Sequence, residues 1–303
     1  MAELTQLQQK IRTFLPDTDI RFYEPMNRHT SFRIGGAAEI MAFPKSAEEL
    51  SKLLKTSELL DCKPAILGAG TNVLAPDEGC PGIVICLKDA LDGMERIGDT
   101  GIRVMAGVSM TRAAVFAANS GLSGLEFAHG IPGTVGGGVY MNAGAYGGEI
   151  KQVCGSVRVM APDGSVRDVS GEDMAFSYRS SALQTSGEIV ISADFVLAPK
   201  PAEQIRAVMK ELQAKRSASQ PLDLPSAGSA FKRPVGGYAA ALIDQAGLKG
   251  YRVGGAAISA KHAGFAVNLG GATAKDVRTL LKNVSDIVFE KSGIRLEPEI
   301  RIW

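Results

Sequence analysis

Leu4, Leu7, Ile11 and Phe14 recur at three- and four-residue spacing, which predicts an amphipathic helix over residues 3–15. The pattern then shortens. Residues 38–44, AEIMAFP, read as a strand, and SAEELSKLLK opens a helix with Ser46 as N-cap and Glu49 three residues on, the pattern of a capping box. PAILG (64–68) and GIVICL (82–87) are short apolar runs that read as buried strands. Together these predict a small α/β unit over roughly residues 30–88.

Alternation at period two takes over between about residues 93 and 198. MERIGDTGIRVMAG reads as a hairpin with Asp99 and Gly101 near its turn, and SVRVMAPDGSVRDVS as another with Pro162, Asp163 and Gly164 at the turn. TRAAVFAANSG reads as a helix ending at Gly121, and GEIVISADFVL as a strand. A long helix over 201–218 leads through the proline-bounded, extended QPLDLP into a third unit. That unit has helices at about 238–246 and 274–291, the second bracketed by Thr273 and Gly293. The end, IRLEPEIRIW, alternates like a strand and would put Glu297 and Glu299 on one face.

Composition narrows the function classes. A net charge of +1 over 303 residues argues against a nucleic-acid binder built on bulk positive charge. No apolar run approaches the ~18 residues of a membrane span, and MAELTQLQQK, with Glu3 early, does not read as a signal peptide. Cys62, Cys80, Cys86 and Cys154 form no close metal-ligand pair and the histidines number three, so no metal is expected. Scattered thiols suit a reducing cytoplasm. Glycine stands out, at 35 residues, and it clusters beside apolar neighbours.

Four stretches have chemical potential. In LGAGTNVL (67–74), Gly68, Ala69, Gly70, Thr71 and Asn72 follow a strand, where glycines let backbone N–H groups approach an anion. A plain strand-end turn explains this stretch equally well. HGIPGTVGGGVYMNAGAYGGEI (129–150) holds eight glycines and is too apolar for a solvated linker and too glycine-rich for a helix or strand core. A large ligand with many acceptors would satisfy its backbone groups; a tightly packed structural loop is the alternative. FSYRSSAL (176–183) carries Arg179, able to fork onto a carboxylate, though a surface arginine reads as well. In PSAGSAFKRP (225–234), Ser229 is either a turn residue or a group that takes part in chemistry.

The ordered series HTSFRIGG, GAGTN, GLEFAHGIPGTVGGGVYMNAGAYGGEI, YRSS, QPLDLPSAGSAFKRP, AGLKGYRVGGAAIS and LEPEI resembles the UDP-N-acetylenolpyruvoylglucosamine reductase (MurB) family of peptidoglycan synthesis, over about residues 25–301. The resemblance implies an α+β flavoenzyme with a two-domain flavin module of the vanillyl-alcohol-oxidase/PCMH type and a third, α/β substrate-binding domain. Residues 1–88, with a C-terminal strand at 298–303, and residues 89–200 would hold non-covalent FAD, and 201–297 the UDP-sugar. It also implies the branch lacking an extra substrate-binding loop, since no room separates Tyr178 from GEIVI.

By position, the resemblance makes Ser229 the proton donor and Arg179 and Glu299, but not Glu297, active-site residues. It places Gly68, Ala69, Gly70, Thr71, Asn72, Gly130, Ile131, Pro132, Gly133, Thr134, Gly136, Gly137, Asn142 and Gly144 at the flavin. Tyr178, Arg216, Gln220 and Lys232 fall to the substrate. Many relatives carry lysine where this chain has Ser219, a role open to Arg216 or Lys232. The implied reaction takes hydride from NADPH through FAD to UDP-N-acetylglucosamine enolpyruvate, in a cytoplasmic monomer. An oxidase of the same fold and a non-catalytic flavin binder are the rivals; neither accounts for Arg179, Ser229 and Glu299 together.

Overall fold

The computed structural model describes residues 4–303. A four-stranded sheet runs in the order Asp19–Pro25, Ala37–Phe43, Cys80–Cys86, Ala65–Leu67, the last two parallel. A five-stranded antiparallel sheet runs in the order Val166–Ser170, Cys154–Met160, Ile189–Val196, Gly101–Met105, Met94–Ile97. The chain groups into two compact units. One takes the chain up to Phe22, Ile40–Ala69 and Gly82–Lys215; the other takes Tyr23–Glu39, Gly70–Pro81 and Arg216–Trp303.

Each unit has its own apolar core. In the first, Leu50, Leu53 and Leu54 of the helix Ala47–Leu59 are buried with Ile83, Ile85, Ile102, Val104, Val157, Val159 and Phe195. Period two along the strands leaves charges on the other face of the five-stranded sheet, where Arg103 forks onto Asp194 at 2.7 and 2.8 Å and Arg158 onto Asp168 at 2.8 and 3.0 Å. The second unit packs an antiparallel sheet, ordered Ser226–Ser229, Phe265–Asn268, Ala256–Ile258, Arg252–Val253, with Val277, Leu280, Leu281, Val284 and Val288 of the helix Ala274–Ser292. Thr273 caps that helix with a full capping box, and Gly293 ends it in the left-handed conformation.

The local expectations hold with specific departures. The first helix is Gln6–Phe14, behind a capping box built by Thr5 and Gln8; residue 3, where it was expected to start, lies outside the described residues. Ser46 accepts from the Glu49 amide, but the Glu49 carboxylate takes the Lys45 amide at 2.9 Å, so only half of the expected box forms. QPLDLP is not extended: Leu222 and Leu224 donate back to Gln220 and Pro221 and fold it into a turn. The glycine-rich stretch contains a short helix, Val135–Tyr140, with Thr134 accepting from the Gly137 amide. A side-chain cap and close packing override glycine's poor helix propensity there. The C-terminal strand shrinks to Arg301–Ile302, parallel to Val73–Leu74, so Glu297 and Glu299 do not share the face of a continuous strand. Pro298, with no N–H to donate, makes only an isolated bridge to Phe231.

Candidate active site

The first unit brings Gly68, at the start of the first glycine-rich stretch, against Thr134 of the second. A Cβ built on Gly68 would lie 2.8 Å from Thr134 Oγ1, so the end of the strand Ala65–Leu67 packs on the N-cap of the short helix. That helix is seated from below. Met110 donates to the Gly133 carbonyl, Val135 to Val108 and Gly136 to Ala106, while Gly130 donates to Thr111 Oγ1 at 3.3 Å. Ile131 donates to the Ala128 carbonyl and closes the turn that leads through the exposed Pro132. Gly144 pairs with Glu149 in a two-residue ladder.

Packing explains part of the glycine content. A Cβ on Gly136 would meet Ala106 at 3.0 Å, on Gly138 the Met110 sulfur at 2.7 Å, and on Gly144 the Gly148 carbonyl at 2.6 Å. Gly137 differs. It is exposed, its φ is not positive, and a Cβ there would meet only Thr134 Oγ1, at 3.5 Å. Nothing among the described residues requires glycine at this position. Beside the same stretch, His129 Nδ1 is buried without a hydrogen-bond partner among the described residues.

Tyr178 and Arg179 form the tip of a tight hairpin closed by reciprocal bonds between Ser177 and Ser180, at 3.1 and 3.2 Å. Arg179 is half-buried, with φ of 55°, a conformation a non-glycine residue holds only when its surroundings impose it. Its guanidinium lies 5.2 Å from the centre of the exposed Tyr178 ring. Gln184 donates to the Arg179 carbonyl at 3.0 Å. Asn142 donates to the Ser177 carbonyl at 3.0 Å, so the structure sets this turn against the glycine-rich stretch.

The second unit gathers Gly70, Thr71 and Asn72 with Ser229 and Glu299. Ser31 ties two of its segments: its hydroxyl donates to the Ser226 carbonyl at 2.6 Å, and its amide donates to the Gly70 carbonyl at 3.1 Å. Asn72 donates its side-chain amide to the Glu299 carbonyl at 3.3 Å. Ser226–Ser229 pairs with Phe265–Asn268 through a register shift, where Gly228 takes φ of 77°, which a β-carbon would strain. Such an irregularity re-aims the following side chain. Ser229 is half-buried, and its hydroxyl makes no hydrogen bond among the described residues. Beyond it, Glu299 donates to the Ala230 carbonyl at 2.9 Å and Lys232 to the Glu297 carbonyl at 2.8 Å.

The substrate residues named from the sequence fall into two groups. Lys232 forms an ion pair with the exposed Glu297. Arg216 is buried in the last turn of the helix Ala202–Ser219 and faces Gln220 at 3.4 Å; Ser219 donates to the Arg216 carbonyl. Sequence reasoning assigned no role to Ser31, although it lies in HTSFRIGG, because its partner Ser226 is 195 residues away. Among the described residues no cluster of His, Cys, Asp or Glu is arranged to hold a metal.

Known proteins resemble this chain over most of its length. Residues 38–170 match a family model described as FAD binding domain, and residues 220–303 one described as UDP-N-acetylenolpyruvoylglucosamine reductase, C-terminal domain. The chain is 44% identical over 296 residues to the UDP-N-acetylenolpyruvoylglucosamine reductase of Streptococcus pneumoniae strain JJA, covering 98% of each. The crystal structure of UDP-N-acetylenolpyruvylglucosamine reductase (MurB) from Thermus caldophilus aligns with a TM-score of 0.78 at 36% identity, covering 94% of this chain and 98% of that one. An alkyldihydroxyacetonephosphate synthase aligns with a TM-score of 0.50 at 14% identity, over 65% of this chain and 41% of that one, a likeness of fold alone.

Proposed function

The chain belongs to the UDP-N-acetylenolpyruvoylglucosamine reductase family, and on that premise we propose that Ser229, Arg179 and Glu299 carry its reaction. It is a flavoenzyme that uses FAD and NADPH to reduce the enolpyruvyl ether of UDP-N-acetylglucosamine enolpyruvate to UDP-N-acetylmuramate, in peptidoglycan precursor synthesis.

The residues of the first unit fit a flavin. Gly137 leaves open the space that a Cβ would fill, and among the described residues neither the Ala69 amide nor the buried His129 Nδ1 has a hydrogen-bond partner. The stretch 130–137 with Gly68 and Ala69 would hold the cofactor through backbone donors; Gly70, Thr71 and Asn72 are flavin residues by the resemblance alone. Asn142 belongs to the same stretch, but its side chain is committed elsewhere. The chemistry supplied by bound FAD would be hydride transfer, from NADPH to the terminal carbon of the enolpyruvyl double bond.

The protein's own groups complete the step. Hydride addition leaves the electron pair of the broken π bond on the adjacent carbon and its carboxylate. Arg179 would oppose that charge as a cation, and Glu299 as a hydrogen-bond donor if protonated. Ser229 gives its hydroxyl proton to the adjacent carbon, which completes the lactyl ether, and recovers a proton from solvent. Tyr178, Gln220, Lys232 and Arg216 would contact the substrate, with either Arg216 or Lys232 in place of the lysine absent at Ser219. The observation that carries this reading is the Ser229 hydroxyl, without a hydrogen-bond partner among the described residues, next to the backbone that fixes Glu299.

Residues 1–88 with 298–303, and 89–200, would form the flavin module, and 201–297 the substrate domain; the family match at 38–170 supports the first assignment. The protein would work in the cytoplasm as a monomer, and its four free thiols suit a reducing compartment. The test is anaerobic: NADPH should bleach the flavin, and the enolpyruvyl UDP-sugar should restore its absorbance. Reoxidation by oxygen with no response to the UDP-sugar would overturn the reading.

A further inference from the structure

We infer that Asn142 is a positioning residue for Arg179, and that its side chain serves the catalytic turn instead of binding the cofactor. Asn142 follows the short helix Val135–Tyr140, is 1% exposed, and takes φ of 43°, which asparagine tolerates better than most residues. Three of its four side-chain hydrogen-bonding positions are taken by the protein. Nδ2 donates to Glu149 Oε2 at 2.9 Å and to the Ser177 carbonyl at 3.0 Å. Oδ1 accepts from the Lys151 amide at 3.0 Å. Both Nδ2 hydrogens are engaged, so a hydrogen bond donated from this side chain to a flavin would have to break one of these bonds.

The Ser177 carbonyl is the informative partner. It also accepts from the Ser180 amide, one of the two rungs that close the hairpin around Tyr178 and Arg179. Asn142 therefore anchors the base of the turn whose tip holds Arg179 in its left-handed conformation. A second anchor works beside it. Ser181 Oγ and Gln184 Nε2 both donate to the Tyr140 carbonyl, at 2.8 and 3.2 Å, and Gln184 also holds the Arg179 carbonyl. The end of the glycine-rich stretch thus fixes the arginine turn twice, through Tyr140 and through Asn142. No other common side chain offers two donors, one acceptor and tolerance of positive φ at this length: aspartate would set a carboxylate against Glu149 and the Ser177 carbonyl.

This inference rests on the role proposed above for Arg179, and a double-mutant cycle on the FAD-loaded enzyme separates the two. Asn142→Gly keeps the backbone conformation and deletes the side chain. It should slow flavin reoxidation by the enolpyruvyl UDP-sugar about tenfold or more, the scale of a misplaced catalytic group, and slow NADPH-driven reduction much less. In an Arg179→Ala background the same change should cost under about threefold, because residues acting as one unit are non-additive. Hydrogen exchange at the Ser180 amide should quicken in the glycine variant. Equal losses in both half-reactions, or losses that multiply in the double variant, would overturn the inference. If the glycine variant fails to fold, Asn142→Asp, which keeps size and positive φ, enters the same cycle with the same two outcomes. A wild-type enzyme whose reduced flavin ignores the UDP-sugar would overturn the functional reading itself.

Discussion

The amide of Glu299 donates to the carbonyl of Ala230 at 2.9 Å, so the backbone bearing the carboxyl group is fixed to the residue that follows Ser229. The tie is reinforced on both sides. Asn72 holds the Glu299 carbonyl, and two residues along, Lys232 meets Glu297 through backbone and through charge. Two acids separated by one proline thus have different situations: Glu297 is 71% exposed and ion-paired, whereas Glu299 is half-buried.

That difference predicts different consequences. Glu299→Gln should slow reoxidation of the reduced flavin by the UDP-sugar by ~10²–10³, the usual worth of one well-placed stabilising group, and leave reduction by NADPH close to normal. Glu297→Gln should change either step only mildly, since a solvent-exposed ion pair contributes little. Stopped-flow absorbance of the two half-reactions checks both. Equal slowing of reduction and reoxidation in the Glu299 variant would remove the acid from the second half-reaction.

Gly137 sets stability against cofactor binding. It lies inside the helix Val135–Tyr140 with no packing conflict and no positive φ, so Gly137→Ala should stabilise the flavin-free protein by about 0.5–1 kcal/mol. The same methyl would stand where the flavin is proposed to lie against backbone, so flavin occupancy should fall. Thermal denaturation of the apoprotein and flavin released on denaturation measure the two effects. A variant that is stabilised and keeps full occupancy would move the cofactor away from this glycine.

What was legible in the sequence was local. Caps such as Thr273 with Gly293 mark their helix because capping bonds span only a few residues. The hairpin at Asp163 and Gly164 is equally local: Ser165 donates to the Asp163 carboxylate and Gly164 takes φ of 81°. The helix at 135–140 was hidden because glycine propensity argues against it, and only the seat formed by Ala106, Val108 and Met110 shows why it forms. The long-range ties within each unit that position the candidate residues were not legible. Ser31 reaches Ser226, Asn72 reaches Glu299, and Asn142 reaches Ser177. No spacing rule connects such pairs; the motifs that contain them only mark where to look.

Burial pushes the Cys154 thiol up to about 12, with the nearby Asp194 carboxylate adding to the effect. A raised pKa means the folded protein holds this proton where an unfolded chain would release it. The stabilisation is therefore complete below the unfolded value of about 9 and is lost as pH rises toward about 12. At pH 8 Cys154 should resist alkylation in the native protein and react fully in denaturant. Peptide mapping after iodoacetamide treatment checks this, and rapid native labelling would contradict the burial.

Ser229 carries the most specific expectation. The bulge at Gly228 re-aims the strand end, and the Ser229 hydroxyl is left without a partner among the described residues, while the adjacent backbone is tied to Gly264, Glu297 and Glu299. A rigid backbone under an uncommitted hydroxyl suits a group that must reach a substrate carbon. A serine is too weak an acid to protonate a neutral alkene, so it must act after hydride addition, on a carbon already carrying negative charge. Ser229→Ala should therefore bind FAD and be bleached by NADPH much as the parent protein is. Its reoxidation by the UDP-sugar should fall by ~10²–10⁴, the usual worth of a positioned general acid. Ser229→Cys should retain more activity than alanine, since a thiol still donates a proton. In deuterated solvent the parent enzyme should place one deuterium on the carbon next to the carboxylate. Near-normal reoxidation in the alanine variant would leave Ser229 as a turn residue and make Ser226 the next hydroxyl to test.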